Sequence, residues 1–550
     1  MRAMDLFDAN AYIGRYRQMG PGAVWSREEL IADMNRFGIA EALVCDTASR
    51  EVHCEPGNRR ILELTSGQPR LHPCWSLIPA RTGEIGPLET LLDRMREAGV
   101  RAVKLFPGHY TFGLNEWCVG DLLETLEKGR IPTFIDPNRE FIGGWPPDST
   151  DWDAIVTLCK ALPRLPVIVS ESRFRSANRM IYQALHACPN LHIELSGFWV
   201  HHGIEFICRE FGANRLLFGS KWPIRDVGGL VATVRMADIS DKEKALIGGD
   251  NLRELLAGAH KGRMRKTAAH RVRLSAPTGD SLRSKALRGE PPEGDLIIDA
   301  HAHLGRAAIY HLADSTPALV VKEMERLNVQ CSIVFGLSGV IGDWTCDNDL
   351  VAKAMKDRPD RYYGLIVVNP NAPEQMMAEL ERCENKGFIG VKLIAQYQGY
   401  PEEGPNIDLA LAWANERKMI VLNHGWGSVG RLRDVAERFS DTTLIVGHYS
   451  TAYAPVVNNY PNVYQCTCEP LMYDSVETLV KVIDPAKIVY GSDVTDLPIP
   501  LGMGPILHAR IAEDDKKRIL GLNALGMLRR AGVEPLPGGD WPEPVQREGR

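Results

Sequence analysis

Apolar positions along this chain collect into short β-branched runs, each followed by a loop and an amphipathic stretch of helical period, and the rhythm occurs twice. In the second half the runs lie at 296–303, 331–337, 362–370, 388–394, 419–425, 443–449, 463–469 and 488–493. Strands alternating with helices imply βαβ units and a parallel sheet, and eight units in about 240 residues predict a closed (β/α)8 barrel of the TIM type. The first half offers a matching set at 5–12, 41–47, 71–79, 100–107, 131–137, 166–172, 191–197 and 215–222.

Landmarks of the two halves align at offsets of 272 to 291 residues: Asn10 with His301, Asn58 with Asn348, Lys104 with Lys392, Asp136 with His424, Lys221 with Asp493 and Asn251 with Asn523. The chain therefore reads as α/β, two tandem barrels from one duplicated unit. The expected divisions are a barrel over 1–256, a basic linker over 257–294, a second barrel over 295–532 and a Pro/Gly-rich tail over 533–550. The linker carries nine Lys or Arg with little apolar periodicity and no interleaved aromatics, so a connector is favoured over a nucleic-acid or membrane arm.

Composition narrows the function. With 44% hydrophobic and 24% charged residues the 550-residue chain is globular, and a net charge of −6 gives no footprint for nucleic acid or an anionic membrane. No run approaches a membrane span and no secretory h-region opens the sequence, so a soluble, cytoplasmic protein acting on a small molecule is expected. The 12 Cys lack any C-x-x-C pair, and the closest two, Cys466 and Cys468, fall on one face of a strand, as buried thiols of a reducing compartment would.

The second half carries the chemistry. Asp299-Ala300-His301-Ala302-His303 ends its first run, and alternation sends both imidazoles to one face, at the barrel mouth where loops build active sites. His424 ends the fifth run, His448 the sixth, and Asp493 closes Gly491-Ser492-Asp493 at the eighth. Nitrogen donors with one carboxylate, converging at a single mouth, suit one divalent transition metal, Zn2+ first, with Mn2+, Fe2+ and Co2+ also admitted. Arg306 could pair with a substrate carboxylate, and Tyr397, Trp426 and Tyr449, with Trp344 and Asp496, lie at or beyond strand ends as pocket walls.

This ordered set, H-x-H on strand 1, G-V-K-L on strand 4, His at strands 5 and 6 and G-S-D at strand 8, resembles the amidohydrolase superfamily, in particular its branch of metal-dependent hydrolases and decarboxylases. The resemblance implies that His301, His303, His424 and Asp493 hold the metal, with His448 beside it as a further ligand or as the group that orients water. It also implies that Asp493 takes the water proton. Lys392 matches a lysine that bridges two metals in some members, although a single metal is expected here.

At the corresponding positions the first half reads Asn10, Tyr12, Asp136, Glu171 and Lys221, without a ligand histidine, while Phe218-Gly219-Ser220-Lys221-Trp222-Pro223 keeps the shape of the G-S-D motif with Lys for Asp. An ion-pair cluster of Lys104, Lys221, Asp136 and Glu171 in place of a metal is the expectation, and the first barrel would then be a scaffold, pairing with the second as an intramolecular pseudo-dimer or joining a homo-oligomer. The leading function is hydrolysis of an amide, lactone or ester-like bond in the C-terminal barrel. Nonoxidative decarboxylation of an aromatic or unsaturated acid is the rival, and a noncatalytic scaffold stands third.

Overall fold

The structure is a computed structural model describing every residue except 1–3, 18, 20–21, 138–149, 171–173, 263–273, 276, 309, 535 and 537–550. Its chain divides into two units, Met1–Thr278 and Gly279–Arg550.

In the first unit, β1 (Leu6–Ile13), β2 (Ile39–Asp46) and β3 (Leu71–Pro73) form one parallel sheet, and β4 (Trp75–Ser76), β5 (Val103–Leu105), β6 (Thr133–Ile135), β7 (Val167–Val169), β8 (Leu191–Glu194) and β9 (Leu216–Leu217) a second. The run expected at 71–79 is thus broken at Cys74, whose N–H turns to the Val44 carbonyl (2.9 Å) while the Leu77 N–H reaches the Lys104 carbonyl (3.1 Å), so that the two sheets continue each other. Ala9 donates to Phe218 (2.9 Å), and a parallel bridge joins Ala11 to Trp222, closing the last strand on the first. The second unit is a single eight-stranded parallel sheet in sequence order: β10 (Ile298–Leu304), β11 (Cys331–Gly336), β12 (Tyr362–Val367), β13 (Gly390–Leu393), β14 (Ile420–Asn423), β15 (Thr443–Val446), β16 (Val463–Cys466) and β17 (Ile488–Val489). Ala300 donates to the Tyr490 carbonyl (2.8 Å) and completes the ring. Both halves are α/β barrels of the expected class.

Strands such as β14 and β15 are short and buried on both faces because helices cover them outside and side chains fill them inside. Helices begin where the sequence supplies a cap. Ser26 with Glu29 and Ser240 with Glu243 form capping boxes, and the first of these helices (Arg27–Phe37) buries Leu30, Met34 and Phe37, a spacing that puts one stripe against the sheet.

Several polar devices recur in the two units. Ser220 donates its N–H to Asp8 (2.9 Å) as Ser492 does to Asp299 (2.9 Å), and each serine hydroxyl bonds the same carboxyl, tying the last strand to the first. Burial raises these acids, Asp8 to about 6 and Asp299 to about 7. Asn58 exchanges two hydrogen bonds with the Ser76 backbone, and Asn348 does so with Val367. Asn251 and Asn523 each give their amide to two carbonyls, and a π-helical turn precedes each of them (Leu246–Asp250 and Arg518–Leu522).

Within the stretch expected as linker, His260 is buried against the Val100 carbonyl (2.8 Å) in the first unit. A capped helix, Leu282–Arg288, belongs to the second unit, because Leu282, Ala286 and Leu287 give it a buried face that a reading dominated by its basic residues overlooked. Of the tail, Val533 and Leu536 pack on the second core and the Tyr363 hydroxyl donates to the Glu534 carbonyl (2.9 Å); the rest lies outside the described residues. All 12 cysteines are free thiols, and no helix among the described residues is long and apolar enough to cross a membrane.

Candidate metal centre

The H-x-H pair ends β10 and is buried, His301 fully and His303 at 6% exposure. His301 Nδ1 lies 2.8 Å from the Gly447 carbonyl. That contact requires the proton on Nδ1 and leaves Nε2, which has no hydrogen-bond partner, as a free lone pair inside the mouth. Burial, with Lys392 nearby, holds the His301 imidazole neutral by driving its pKa well below the ordinary value.

Asp493 stands at the end of the ring on the far side of the same space. Its backbone is left-handed (φ 64°) and its N–H donates to the His301 carbonyl (2.9 Å), so the motif turns sharply and aims the carboxylate inward. Burial alone would raise this acid, but the hydrogen bond from His303 Nε2 (2.9 Å), among the imidazoles that surround it, holds it well below the usual carboxylate range. His301 Nε2 is 3.4 Å from the same carboxylate oxygen.

His448, just beyond β15, presents Nδ1 to Glu469 at 3.2 Å, which leaves its other nitrogen for the mouth. One ligand atom each from His301, His448, Cys468 and Asp493 lie within 4.8 Å of one another. His303 and His424 flank that group: His303 through its bond to Asp493, and His424 with its ring 3.9 Å from that of His448. Burial, with His448 and Lys392 beside it, pushes the His424 pKa far down, so His424 too is a neutral donor. All five residues expected to act at the metal therefore meet at one mouth.

Lys392 is fully buried on β13, its ammonium without a hydrogen-bond partner and 4.5 Å over the Phe335 ring. It does not form the close carboxylate pair that an ordinary structural lysine would make, and burial depresses it to about 7. Phe335, at the end of β11, also packs edge-on against His303 (4.3 Å) and beside His301 (5.2 Å). It forms an apolar floor that sequence inspection missed because a phenylalanine in an apolar run looks like any core residue.

The suggested substrate groups are spread more widely. Tyr397 is half exposed with its ring 5.4 Å from His424, Tyr449 is partly buried next to His448, and Arg306 is exposed on the loop after β10. Trp426 is 2% exposed and donates its indole N–H to the Ile445 carbonyl (3.1 Å), which puts it in the barrel wall. Trp344 begins the helix that follows β11, and Asp496 accepts a hydrogen bond from Tyr310.

In the first unit the corresponding positions carry protein groups that bond one another. Lys221, left-handed like Asp493 (φ 55°), pairs with Asp136 at 3.3 Å. Among the described residues Lys104 donates to Asn10 (2.6 Å) and the Tyr12 hydroxyl (3.3 Å). Glu171 lies outside the described residues, and the acid found in the network is Glu194, which accepts from Asn10 (2.7 Å) and Ser196. Among the described residues the expected cluster shows the Lys221–Asp136 ion pair beside a hydrogen-bond network in which Asn10 joins Lys104 to Glu194.

A family model described as Amidohydrolase matches residues 72–257 and 298–530, more than half of the chain and parts of both units. L-fucono-1,5-lactonase of Burkholderia ambifaria is 29% identical over 94 residues, which is 14% of this chain and about a third (32%) of the lactonase's own length. Among solved structures, 5-carboxyvanillate decarboxylase from Sphingomonas paucimobilis aligns at 15% identity with a TM-score of 0.34, over 42% of this chain and 99% of its own. For 4-oxalomesaconate hydratase from Rhodopseudomonas palustris the values are 14%, 0.33, 43% and 97%.

Proposed function

Because the chain belongs to the amidohydrolase family, we propose that its C-terminal barrel is a metal-dependent hydrolase of a small molecule carrying a lactone, amide or ester-like carbonyl. The observation that carries this reading is the unpartnered Nε2 of His301, fully buried and aimed at an ionised Asp493 with His448 alongside. Neutral imidazoles with one carboxylate fit a divalent transition metal, and a buried nitrogen lone pair left unsatisfied costs about 1–3 kcal/mol unless something binds it. We assign the metal to His301, His448 and Asp493, with His303 and His424 adjoining and Zn2+ as the first candidate. Such an ion lowers the pKa of bound water to about 7 and polarises a carbonyl.

The remaining work falls to the protein. Asp493 Oδ, kept ionised by the imidazoles around it, accepts the proton of the attacking water and returns it to the leaving oxygen or nitrogen. Glu469 holds His448 Nδ1 and so fixes the ring's orientation. Phe335 keeps the floor apolar, which strengthens every charge interaction above it. The lactonase match supports a lactone as the first substrate class to try, and Tyr397 is placed beside His424 to contact it.

For the N-terminal barrel we propose a metal-free scaffold role in a duplicated chain, supported by the Lys221–Asp136 pair and by the polar devices shared between the units. The test is a panel of lactones, amides and aromatic acids offered to metal-replete full-length protein. Acid release from lactone or amide, lost in Asp493→Asn, is expected. CO2 release from an aromatic acid without water addition would replace hydrolysis by decarboxylation, and a metal-free protein with no turnover would leave a scaffold.

A further inference from the structure

Sequence inspection treats Cys468 as an ordinary buried thiol, yet it lies among the donors of the second mouth. It is fully buried, with Sγ within 4.8 Å of a ligand atom of each of His301, His448 and Asp493. A lone thiol in a core would signify little, but two further observations bear on this one. The first is His301 Nε2, buried, without a hydrogen-bond partner and turned into the same space because Nδ1 is committed to the Gly447 carbonyl. The second comes from the other barrel, where Ser196 holds the matching place, two residues past the end of β8 as Cys468 is past the end of β16. There the Ser196 Oγ accepts a hydrogen bond from Asn10 Nδ2 (3.2 Å), and Asn10 stands where His301 stands. In both barrels this position therefore delivers its side chain to the residue on the first strand that faces the mouth. The backbone holds it there: Cys468 N–H donates to Cys466 Sγ (3.4 Å) and its carbonyl accepts from Tyr449 N–H (2.9 Å).

We propose that Cys468 is a metal ligand, joining His301, His448 and Asp493 as donors of two nitrogens, one sulfur and one oxygen around an ion that keeps a further position open for water. This rests on the reading that the second mouth holds a divalent cation. Metal–donor bonds of about 2.0–2.3 Å put neighbouring donors about 3–4 Å apart, so atoms within 4.8 Å of one another need to draw in by about 1–2 Å to take an ion. On binding, the S–H bond breaks, a sulfur–metal bond forms and the proton leaves to solvent. A thiolate makes the set softer than nitrogen and oxygen donors alone and selects Zn2+ or Co2+ over Mn2+.

The experiment uses full-length protein stripped of metal and reloaded with Co2+ or Zn2+. One Co2+ per chain is expected, with a thiolate-to-cobalt charge-transfer band in the near ultraviolet. Cys468→Ser keeps the visible cobalt bands, loses the charge-transfer band and narrows the Zn2+-over-Mn2+ preference by about tenfold or more. Cys466→Ser keeps the band. X-ray absorption of the Zn2+-loaded wild type, which needs no variant to fold, is expected to show one sulfur at about 2.3 Å. Stoichiometric Co2+ or Zn2+ without a sulfur signature overturns the ligand assignment and leaves the metal site standing. Failure of the wild type to bind either ion overturns both.

Discussion

Glu469 illustrates how much of the site depends on a residue that no motif marks. It touches no expected ligand except His448, through one 3.2 Å contact to Nδ1, and it adopts a left-handed backbone (φ 55°) to do so. Removing its charge leaves the imidazole free to rotate, so Glu469→Gln is expected to weaken metal binding about 10–100-fold, measured by competition with a chelator. Asp8 offers a test remote from any metal. Its carboxyl titrates near 3.8 when unfolded and near 6 when folded, chiefly through burial. Between those values the folded chain holds a proton that the unfolded chain has lost, so this group's contribution is complete below about pH 4 and disappears as pH rises through about 6. Urea midpoints of the first unit's transition should decline over that window, and Asp8→Asn should flatten the decline; an unchanged slope would show that Asp8 is not the group responsible. The chemistry-bearing residues most legible in the sequence were those whose types are rare in apolar runs, His301, His303, His424, His448 and Asp493. Cys468 and Phe335 were hidden because a thiol or a phenyl ring at a strand end is also what a core requires. Glu469 was hidden because its partner comes from another strand.

At the level of elements, the sequence located every strand of both barrels but overestimated several lengths. The run expected at 488–493 is a strand only over Ile488–Val489, since Gly491 to Asp493 leave the sheet to build the mouth. The break of 71–79 into β3 and β4 depends on which carbonyl Cys74 finds, a contact with a neighbouring strand that local apolar content does not encode. Glycine marks where strands approach most closely. An added Cβ at Gly390 in β13 would lie 2.0 Å from the Ile420 carbonyl oxygen of β14, a backbone atom that cannot swing aside. Gly390→Ala is therefore expected to destabilise the second unit by about 1–3 kcal/mol in denaturant unfolding. A neutral result would mean that β13 and β14 can part without cost.

For the whole molecule, the two barrels carry the same structural devices and different mouths. A full-length chain should bind one metal, and His301→Ala combined with Asp493→Asn should bind none, as read by elemental analysis after dialysis. One equivalent remaining in the double variant would place a second site in the first barrel. The serine–aspartate latches also bear on how such a chain can be assembled. Asp8 with Ser220, and Asp299 with Ser492, seal each ring where its first strand meets its last, so the polypeptide enters and leaves each barrel at neighbouring staves. A ring whose ends adjoin can be opened elsewhere and rejoined at the seam without reordering its strands. Circular permutants of either half, begun at an exposed helix–strand loop, are therefore geometrically available, and in the second half the seam itself, not the order of synthesis, would hold Asp493 across from His301.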